Sequence, residues 1–457
     1  VILTMAWKSL VAHPVRTAVL GVGFGLGVSV MATLLGVGEV VLQQARSPKL
    51  AGGGDLLVTS LTGPVSSARF VLSRVTADRR VTSASPRRRA DLFLVSPHGG
   101  VVPVAAHGGI PSLERALGDP ETAGIAAWVD APSDAAWTRP DPSDVLRAMD
   151  RFRPIPDVPA RAASWAEWLY FKGRSGDVQF YMTVLAGPAL PDGRRVAGVR
   201  FQLDRGGVMT SYAASEPISE SALLAQAPDL TIGGARVRLE GLRYHVTLDL
   251  PRSGTQGRVV GEYVIEASPG RSLTPIELRG AGGWVSGYTV PVMSGTLSGS
   301  VVADGVRVDL SGTGYHDHNW GFWQGVSWRW GQVQHDGLSY VYGRVIPPPD
   351  AADPARLPGF LVALGPDGPV GYATNVSIDE TDDPATGRPT HIVVTGRARE
   401  LDLRMEIAVE DVIVNKGGAL AAGPDFLQLR AQYRVSGRAG GQDVAFTASG
   451  AAETFRE

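Results

Sequence analysis

Residues 401 to 409 read Leu-Asp-Leu-Arg-Met-Glu-Ile-Ala-Val. Leu401, Leu403, Met405, Ile407 and Val409 fall on one side, with Asp402, Arg404 and Glu406 on the other. A period of two held this long predicts a strand with one face in a core. Similar alternating or apolar runs precede it at 164–171, 178–185, 196–203 and 236–250, then at 295–302, 306–311, 327–334, 338–346, 359–364 and 391–398; another follows at 427–435. Gly, Pro and Asp part them, as in the turns Asp336-Gly337 and Asp367-Gly368. Only 219–226 reads as helix. The 57 Gly and 32 Pro suit a chain of strands and turns. The expected fold is therefore mainly β, with antiparallel strands in two blocks forming two barrels or a sandwich pair.

Length and charge bound the rest. A chain of 457 residues is long for one core, and about three domains are expected. The net charge of −2 and the lack of a basic run interleaved with aromatics argue against a nucleic-acid partner; Arg87, Arg88 and Arg89 read as a solvated loop. The absence of cysteine removes disulfides, thiol catalysis and thiolate-bound metal together.

Thr17 to Gly38 contains no charged residue. As a helix rising about 1.5 Å per residue, such a stretch crosses a hydrocarbon core of roughly 30 Å. Lys8, His13 and Arg16 precede it, which places the N-terminus in the cytoplasm and the residues beyond about 44 outside, across an inner (cytoplasmic) membrane. A cleaved signal peptide, ending near the small residues 51–54, is the alternative. Within the span Gly21, Gly23, Gly25 and Gly27 form two overlapping small-xxx-small pairs that let another helix approach. The stretch from Ala6-Trp7-Lys8 through His13-Pro14-Val15-Arg16-Thr17, continuing to Gly54-Asp55-Leu56-Leu57-Val58, resembles the entry to the first transmembrane helix of FtsX/MacB-type ABC transporter permeases. That resemblance implies an ABC transporter permease as partner.

Between 51 and 160 short apolar runs at 56–59, 92–96 and 101–105 alternate with possible helices. Ser112 is placed to cap one through Leu117, and Asp141 opens another running to Phe152. Pro154, Pro156 and Pro159 predict a stiff linker. His98 and His107, beside Pro or Gly, read as loop residues.

The densest chemistry lies at 315–323, Tyr-His-Asp-His-Asn-Trp-Gly-Phe-Trp. Four of the 10 tryptophans, Trp320, Trp323, Trp328 and Trp330, fall here or just after. On a strand, His316, His318 and Trp320 share one face and Asp317 and Asn319 the other, so one face can offer two imidazoles and an indole to a cavity. Gly314 to Gly321, followed by Trp328-Arg329-Trp330-Gly331, resembles the signature of the carotenoid hydratase (CrtC) and AttH-like family. The run Glu167-Trp168-Leu169-Tyr170-Phe171-Lys172-Gly173 is similar to the opening of that family's first domain. The resemblance, over about 160–457, implies two consecutive lipocalin-like (AttH-like) β-barrels, with the motif lining the second or its junction with the first, and a bulky apolar ligand such as a lipid or isoprenoid.

Hydration of an unactivated double bond needs a proton donor, support for a cation and a placed water. His318 or Asp317 is suited to the first, Trp320 and Trp330 to the second, and Tyr315 or Tyr342 to the third. The resemblance assigns catalysis to the motif His and Trp, matched by His318 and Trp320, with a downstream Tyr and an acid. Tyr340 or Tyr342 supplies the former, but Gly343 and Arg344 stand where the acid is expected. Tyr315, His316, Trp323, Trp328, Trp330, Trp168 and Tyr170 are the expected ligand-binding residues. His316 and His318 also form half of a metal site, with His335 or Asp336 as a conceivable third ligand, but no metal or cofactor is assigned. A satisfied hydrogen-bond network that merely pins a barrel corner is the structural alternative.

The expected organisation is a cytoplasmic amphipathic segment (1–16), a transmembrane anchor (17–43), a membrane-proximal α+β region (44–160), a first lipocalin-like domain (161–285) and a second carrying the motif (286–457). The expected function is binding of an apolar ligand outside the membrane beside an ABC transporter; the alternative is a hydro-lyase or isomerase acting on a polyene or isoprenoid lipid.

Overall fold

The computed structural model describes residues 2–46, 53–59, 68–76, 78–95, 101–119, 122, 124–138, 141–268, 272–365, 368–415 and 426–455. His98, Asp367 and part of 51–54 lie outside them. The chain divides into two compact units, residues 1–59 with 75–138, and residues 60–74 with 139–457.

In the first unit a helix Ile2–Ala12 breaks at His13, and Pro14 opens a second helix, Pro14–Arg46. Proline is tolerated there because the first turn leaves its backbone N–H groups unbonded in any case. Residues Pro14–Thr33 are long and apolar enough to cross a membrane, as a single span or as a signal sequence. A hairpin pairs Arg88–Val95 with Val101–Gly108. The run 56–59 forms no strand. The helix near Ser112 is Pro111–Ala116, and Ser112 does not cap it: Ile110 is the N-cap, and the Ser112 backbone N–H donates to Asp130 Oδ1 at 2.8 Å. Nor is Arg87 a solvated loop residue. It is mostly buried and pairs with Glu114 and, at 2.9 Å, with Asp119.

The second unit holds two antiparallel sheets, of twelve and nine strands among the described residues. In the first, the strand Val306–Phe322 that carries the His/Trp motif is central, between Trp165–Ser175 and Val285–Ala303. Beyond Trp165–Ser175 follow Val178–Ala189, Arg194–Arg205 and Val208–Ser215; beyond Val285–Ala303 follow Arg258–Glu266, Arg243–Pro251, Ala235–Glu240 and Leu230–Ile232. The sheet curls on itself, since Tyr212 on its edge strand bridges Arg252 beside Arg243–Pro251. Its interior is packed with Phe171, Phe180, Met182, Phe201, Tyr263 and Leu297. Leu146 and Phe152, from and just after the helix Pro142–Met149, join that core. Asp141 caps this helix by accepting from Ser143 N at 2.7 Å, but the helix stops before Phe152 and frees Asp150 for other partners.

The second sheet runs from Gly368–Ala373 through Phe360–Gly365, Leu338–Ile346 and Ser327–His335 to Gln442–Phe455, Phe426–Ala439, Leu401–Asn415, Pro389–Ala398 and Asn375–Asp382. The alternation at 401–409 holds: Leu401, Leu403, Met405 and Ile407 are buried, while Asp402 and Arg404 are exposed. A third core joins the sheets and is mainly aromatic, with Tyr170, Trp284, Tyr288, Tyr315, Trp328, Trp330, Phe360 and Phe455. The high aromatic content of the motif thus marks the seam between sheets.

Two expected boundaries move. The first sheet does not end at 285 but continues through Val285–Ala303 and Val306–Phe322, so the motif belongs to it, and the chain crosses to the second sheet at 323–326. Turn residues mark where strands end, but which sheet a strand joins depends on long-range pairing, here with Trp165–Ser175. Residues 141–160 belong to the β unit and not to the unit that holds the N-terminal helices.

Gly331, opposite Tyr342 in the second sheet, is required by packing. A Cβ there would lie 2.4 Å from Tyr342 Cε1 and 2.5 Å from the Tyr433 hydroxyl. Gly331→Ala is expected to cost about 1–3 kcal/mol by overpacking, read as a lower urea midpoint with an unchanged m-value.

Candidate functional site

The motif strand has two faces with different surroundings. On the face toward the first sheet's interior, His316 and His318 are fully buried. His316 stacks on Phe171 at 4.1 Å, its Nδ1 faces the Tyr170 carbonyl at 2.9 Å and its Nε2 faces Asp150 Oδ2 at 3.0 Å. His318 Nδ1 faces the Met149 carbonyl at 3.2 Å and its Nε2 faces Glu167 Oε1 at 3.0 Å. Each ring thus meets an oxygen at both nitrogens. For His318, burial alone depresses the pKa, but hydrogen bonds to Asp150 and Glu167 outweigh it and raise the pKa above the usual histidine value. For Asp150, burial opposes ionisation, yet His316 and His318 together hold it far below the carboxylate range. Tyr244 donates to Asp150 at 2.5 Å, and Arg153 pairs with Glu167 at 2.9 Å while lying 3.3 Å over the Trp320 ring. Trp320 Nε1 donates to Glu277 at 3.2 Å. This network ties residues 149–153 to the motif strand.

The opposite face, toward the second sheet, borders a cavity of about 510 Å³. Trp168, Trp323, Trp328, Trp330, Phe426 and Phe455 supply its aromatic surface, and Leu185, Val196 and Gly198 extend the apolar wall. Asp317, Asn319, Tyr170, Gln428 and Glu453 bring polar groups to it. Cross-strand register explains the grouping, since Asp317 lies opposite Tyr170 and Asn319 opposite Trp168 on the same face.

Asp317 is held on both oxygens. Tyr315 donates to its Oδ2 at 2.8 Å and Asn319 to its Oδ1 at 2.8 Å. Behind it runs a chain in which Trp330 Nε1 donates to the Tyr288 hydroxyl at 2.9 Å, and the Tyr288 and Tyr315 hydroxyls are 2.7 Å apart. Burial first, then the neighbouring Glu453, push the Asp317 pKa well above the carboxylate range, against the pull of Tyr315 and Asn319. Burial likewise raises Glu453 to about 7, against Tyr170 and Lys172. Lys172, bonded to Gln332 Oε1 at 3.1 Å, is lowered to about 7 by burial and then by Arg174, with Glu453 pulling back. Gln428 Nε2 donates to the Tyr170 hydroxyl at 3.0 Å.

Of the residues singled out in the sequence, Asp317, Trp168, Tyr170, Trp323, Trp328 and Trp330 meet at the cavity, and Tyr315 stands behind Asp317. The two imidazoles and the indole do share one face as alternation requires, but that face enters the packed interior and not the cavity: His316, His318 and Trp320 are absent from its wall. Tyr342 lies in the second sheet's own core. His335 stacks on Phe446 at 4.3 Å and pairs with Asp336, and no His, Asp or Glu trio suited to a metal occurs among the described residues. No acid follows Tyr342, but Glu453 reaches the cavity from the last strand, opposite Trp330. No local spacing links these positions; the only sequence hint is an acid among small and apolar neighbours, Ala451-Ala452-Glu453-Thr454-Phe455.

The raised carboxyls have a stability consequence. A group whose folded pKa exceeds its unfolded value contributes stability that is complete below the unfolded value and lost as pH rises through the folded one. For Glu453 that window runs from 4.5 to about 7, so unfolding free energy is expected to fall across it by roughly 2–3 kcal/mol. Glu453→Gln flattens the decline; an identical pH profile in the variant refutes the assignment.

No protein-family model and no curated protein sequence matches the chain. Among solved structures it is similar to a protein assigned to AttH from Nitrosomonas europaea, at 14% identity and a TM-score of 0.43, covering 64% of this chain and 92% of that one. It is also similar to CghA, at 9% identity and a TM-score of 0.44, covering 67% and 93%. These likenesses are loose, and the mainly β, two-sheet assignment rests on the strands and registers themselves.

Proposed function

We propose that this chain is a membrane-tethered, extracytoplasmic protein that binds an apolar molecule, of lipid or isoprenoid type, in the cavity between its two sheets. The observation that carries the reading is that cavity: apolar on most of its surface, with several aromatic rings on its wall, of a size typical for small-molecule sites, and with a few convergent polar groups at Asp317, Asn319, Gln428 and Glu453. The apolar helix Pro14–Thr33 supports the tether. The FtsX/MacB-like entry to that helix suggests an ABC transporter permease as neighbour, to be sought by co-purification in mild detergent. Binding is tested by titrating the full chain with an environment-sensitive apolar dye. Saturable binding that weakens in Trp328→Ala supports the reading, and purely linear partitioning contradicts it.

A second reading is acid catalysis on a polyene or isoprenoid, as a hydratase or isomerase. It is favoured by Asp317, a carboxyl whose pKa burial and Glu453 push well above the usual range, beside indole faces that steady a developing cation. When Asp317 is protonated on Oδ2 it donates to Tyr315, and the hydroxyl chain behind it reverses direction without losing a bond. In this reading Asp317, and not His318, is the proton donor, and Glu453 is the acceptor. Deuterium uptake from heavy water into a candidate polyene, lost in Asp317→Asn, is the signature.

A further inference from the structure

The polar groups on the cavity wall are not spent evenly. Asn319 and Gln428 both line the cavity and are only 5% and 1% exposed. Asn319 comes from the motif strand, where it lies opposite Trp168, and Gln428 from Phe426–Ala439, where it lies opposite Glu453. Each carries a primary amide whose nitrogen is engaged. Asn319 Nδ2 donates to Asp317 Oδ1 at 2.8 Å, and Gln428 Nε2 donates to the Tyr170 hydroxyl at 3.0 Å. The Tyr170 proton has Glu453 as its acceptor, so Gln428 turns its nitrogen and not its carbonyl toward the Tyr170 oxygen. The two amide oxygens, Oδ1 of Asn319 and Oε1 of Gln428, have no hydrogen-bond partner among the described residues. Glu453 Oε1, between Trp330 and Gln428 in register, has none either. The unspent capacity of these three side chains is on acceptor atoms.

A buried acceptor left without a donor costs about 1–3 kcal/mol. An occupant that brings a donor therefore gains more here than a pure hydrocarbon does. The same surroundings limit the charge of its head. A carboxylate brings acceptors only, and would face two amide oxygens and the carboxyls of Asp317 and Glu453. An ammonium cut off from water needs a carboxylate to pair with. Asp317, however, has both oxygens held by Tyr315 and Asn319, and burial favours the uncharged forms of Asp317 and Glu453. A hydroxyl is neutral, donates to an amide oxygen and can accept from the second N–H of the same amide. We propose that the ligand is an apolar alcohol, whose hydroxyl donates to the Asn319 or Gln428 amide oxygen while its hydrocarbon body packs on Trp168, Trp323, Trp328 and Trp330. This rests on the binding reading above and narrows it to one head group.

The test uses the full chain in lipid nanodiscs, with quenching of tryptophan fluorescence by bromododecanol, its methyl ether, bromododecanoate and bromododecylamine, each corrected for uptake by empty nanodiscs. The ether keeps the oxygen and loses only the donor. The alcohol is expected to bind about tenfold more tightly than the ether, and more tightly than either charged probe. Asn319→Leu and Gln428→Met each remove one amide oxygen, and the alcohol-to-ether ratio is expected to fall toward one in at least one of them. Equal binding of alcohol and ether by the parent chain, tighter binding of the carboxylate or the ammonium than of the alcohol, or a ratio that survives in both variants overturns the inference and leaves the binding reading standing. The parent comparison decides even if neither variant folds. Absence of saturable quenching of the parent chain by every probe overturns both.

Discussion

Asp150→Ala is expected to lower the unfolding free energy by about 3–5 kcal/mol, among the largest effects of any single substitution in this chain. Asp150 is wholly buried and receives His316, Tyr244 and, at 3.6 Å, His318. Its removal strands two imidazole rings that face acceptors at both nitrogens, in a place that water does not reach. The cost of leaving a buried charge without its partner exceeds what the pair itself contributes, since both charges already lost their hydration on folding. Urea unfolding of the full chain measures it. A double-mutant cycle with His316→Gln should show strong non-additivity, because the two side chains share one buried hydrogen bond. A loss below about 1 kcal/mol would mean that the His–carboxylate network contributes little.

Trp330→Ala is expected to cost about 3–5 kcal/mol and to weaken ligand binding at the same time. The indole is buried in the seam, stacks edge-on to Tyr170 at 6.1 Å and donates to the Tyr288 hydroxyl. Trp330→Phe keeps most of the packing and removes the donor, so it separates the two contributions. It should cost about 1–2 kcal/mol, the range for one unmade hydrogen bond. Equal losses in the two variants would put the whole effect in the hydrogen bond.

Much of this architecture was legible in residues with a strict period. The run from Leu401 shows which side faces a core because every second residue is apolar, and the structure buries Leu401, Leu403, Met405 and Ile407. The alternation at 315–320 likewise separates His316 and His318 from Asp317 correctly. What it does not show is which of two buried faces borders the empty space. Both faces of Val306–Phe322 are covered near the motif, one by Asp150 and Glu167 and the other by the second sheet. Histidines invite a catalytic reading, but here acceptors surround them, whereas the less conspicuous Asp317 and Asn319 meet the cavity. Glu453 and Gln428 were hidden for a different reason. Each is distant in sequence from the motif and reaches the site only through strand pairing, a long-range property that no local pattern encodes. The partners of the two histidines were hidden in the same way: Asp150 follows a helix that ends earlier than its apolar pattern suggests.

In the proposed function a bound molecule occupies the space between the sheets. Gly198 lines that space without a positive φ, and a Cβ there meets its nearest neighbour, the Ala214 carbonyl oxygen, at 3.4 Å. Gly198→Phe is therefore a way to fill the cavity while sparing the strand. Solvent extraction of the purified full chain and of this variant, followed by mass spectrometry, is the most direct measurement. An apolar molecule is expected in stoichiometric amount from the parent protein and is expected to be lost from Gly198→Phe; equal recovery from both proteins would rule out binding in the cavity.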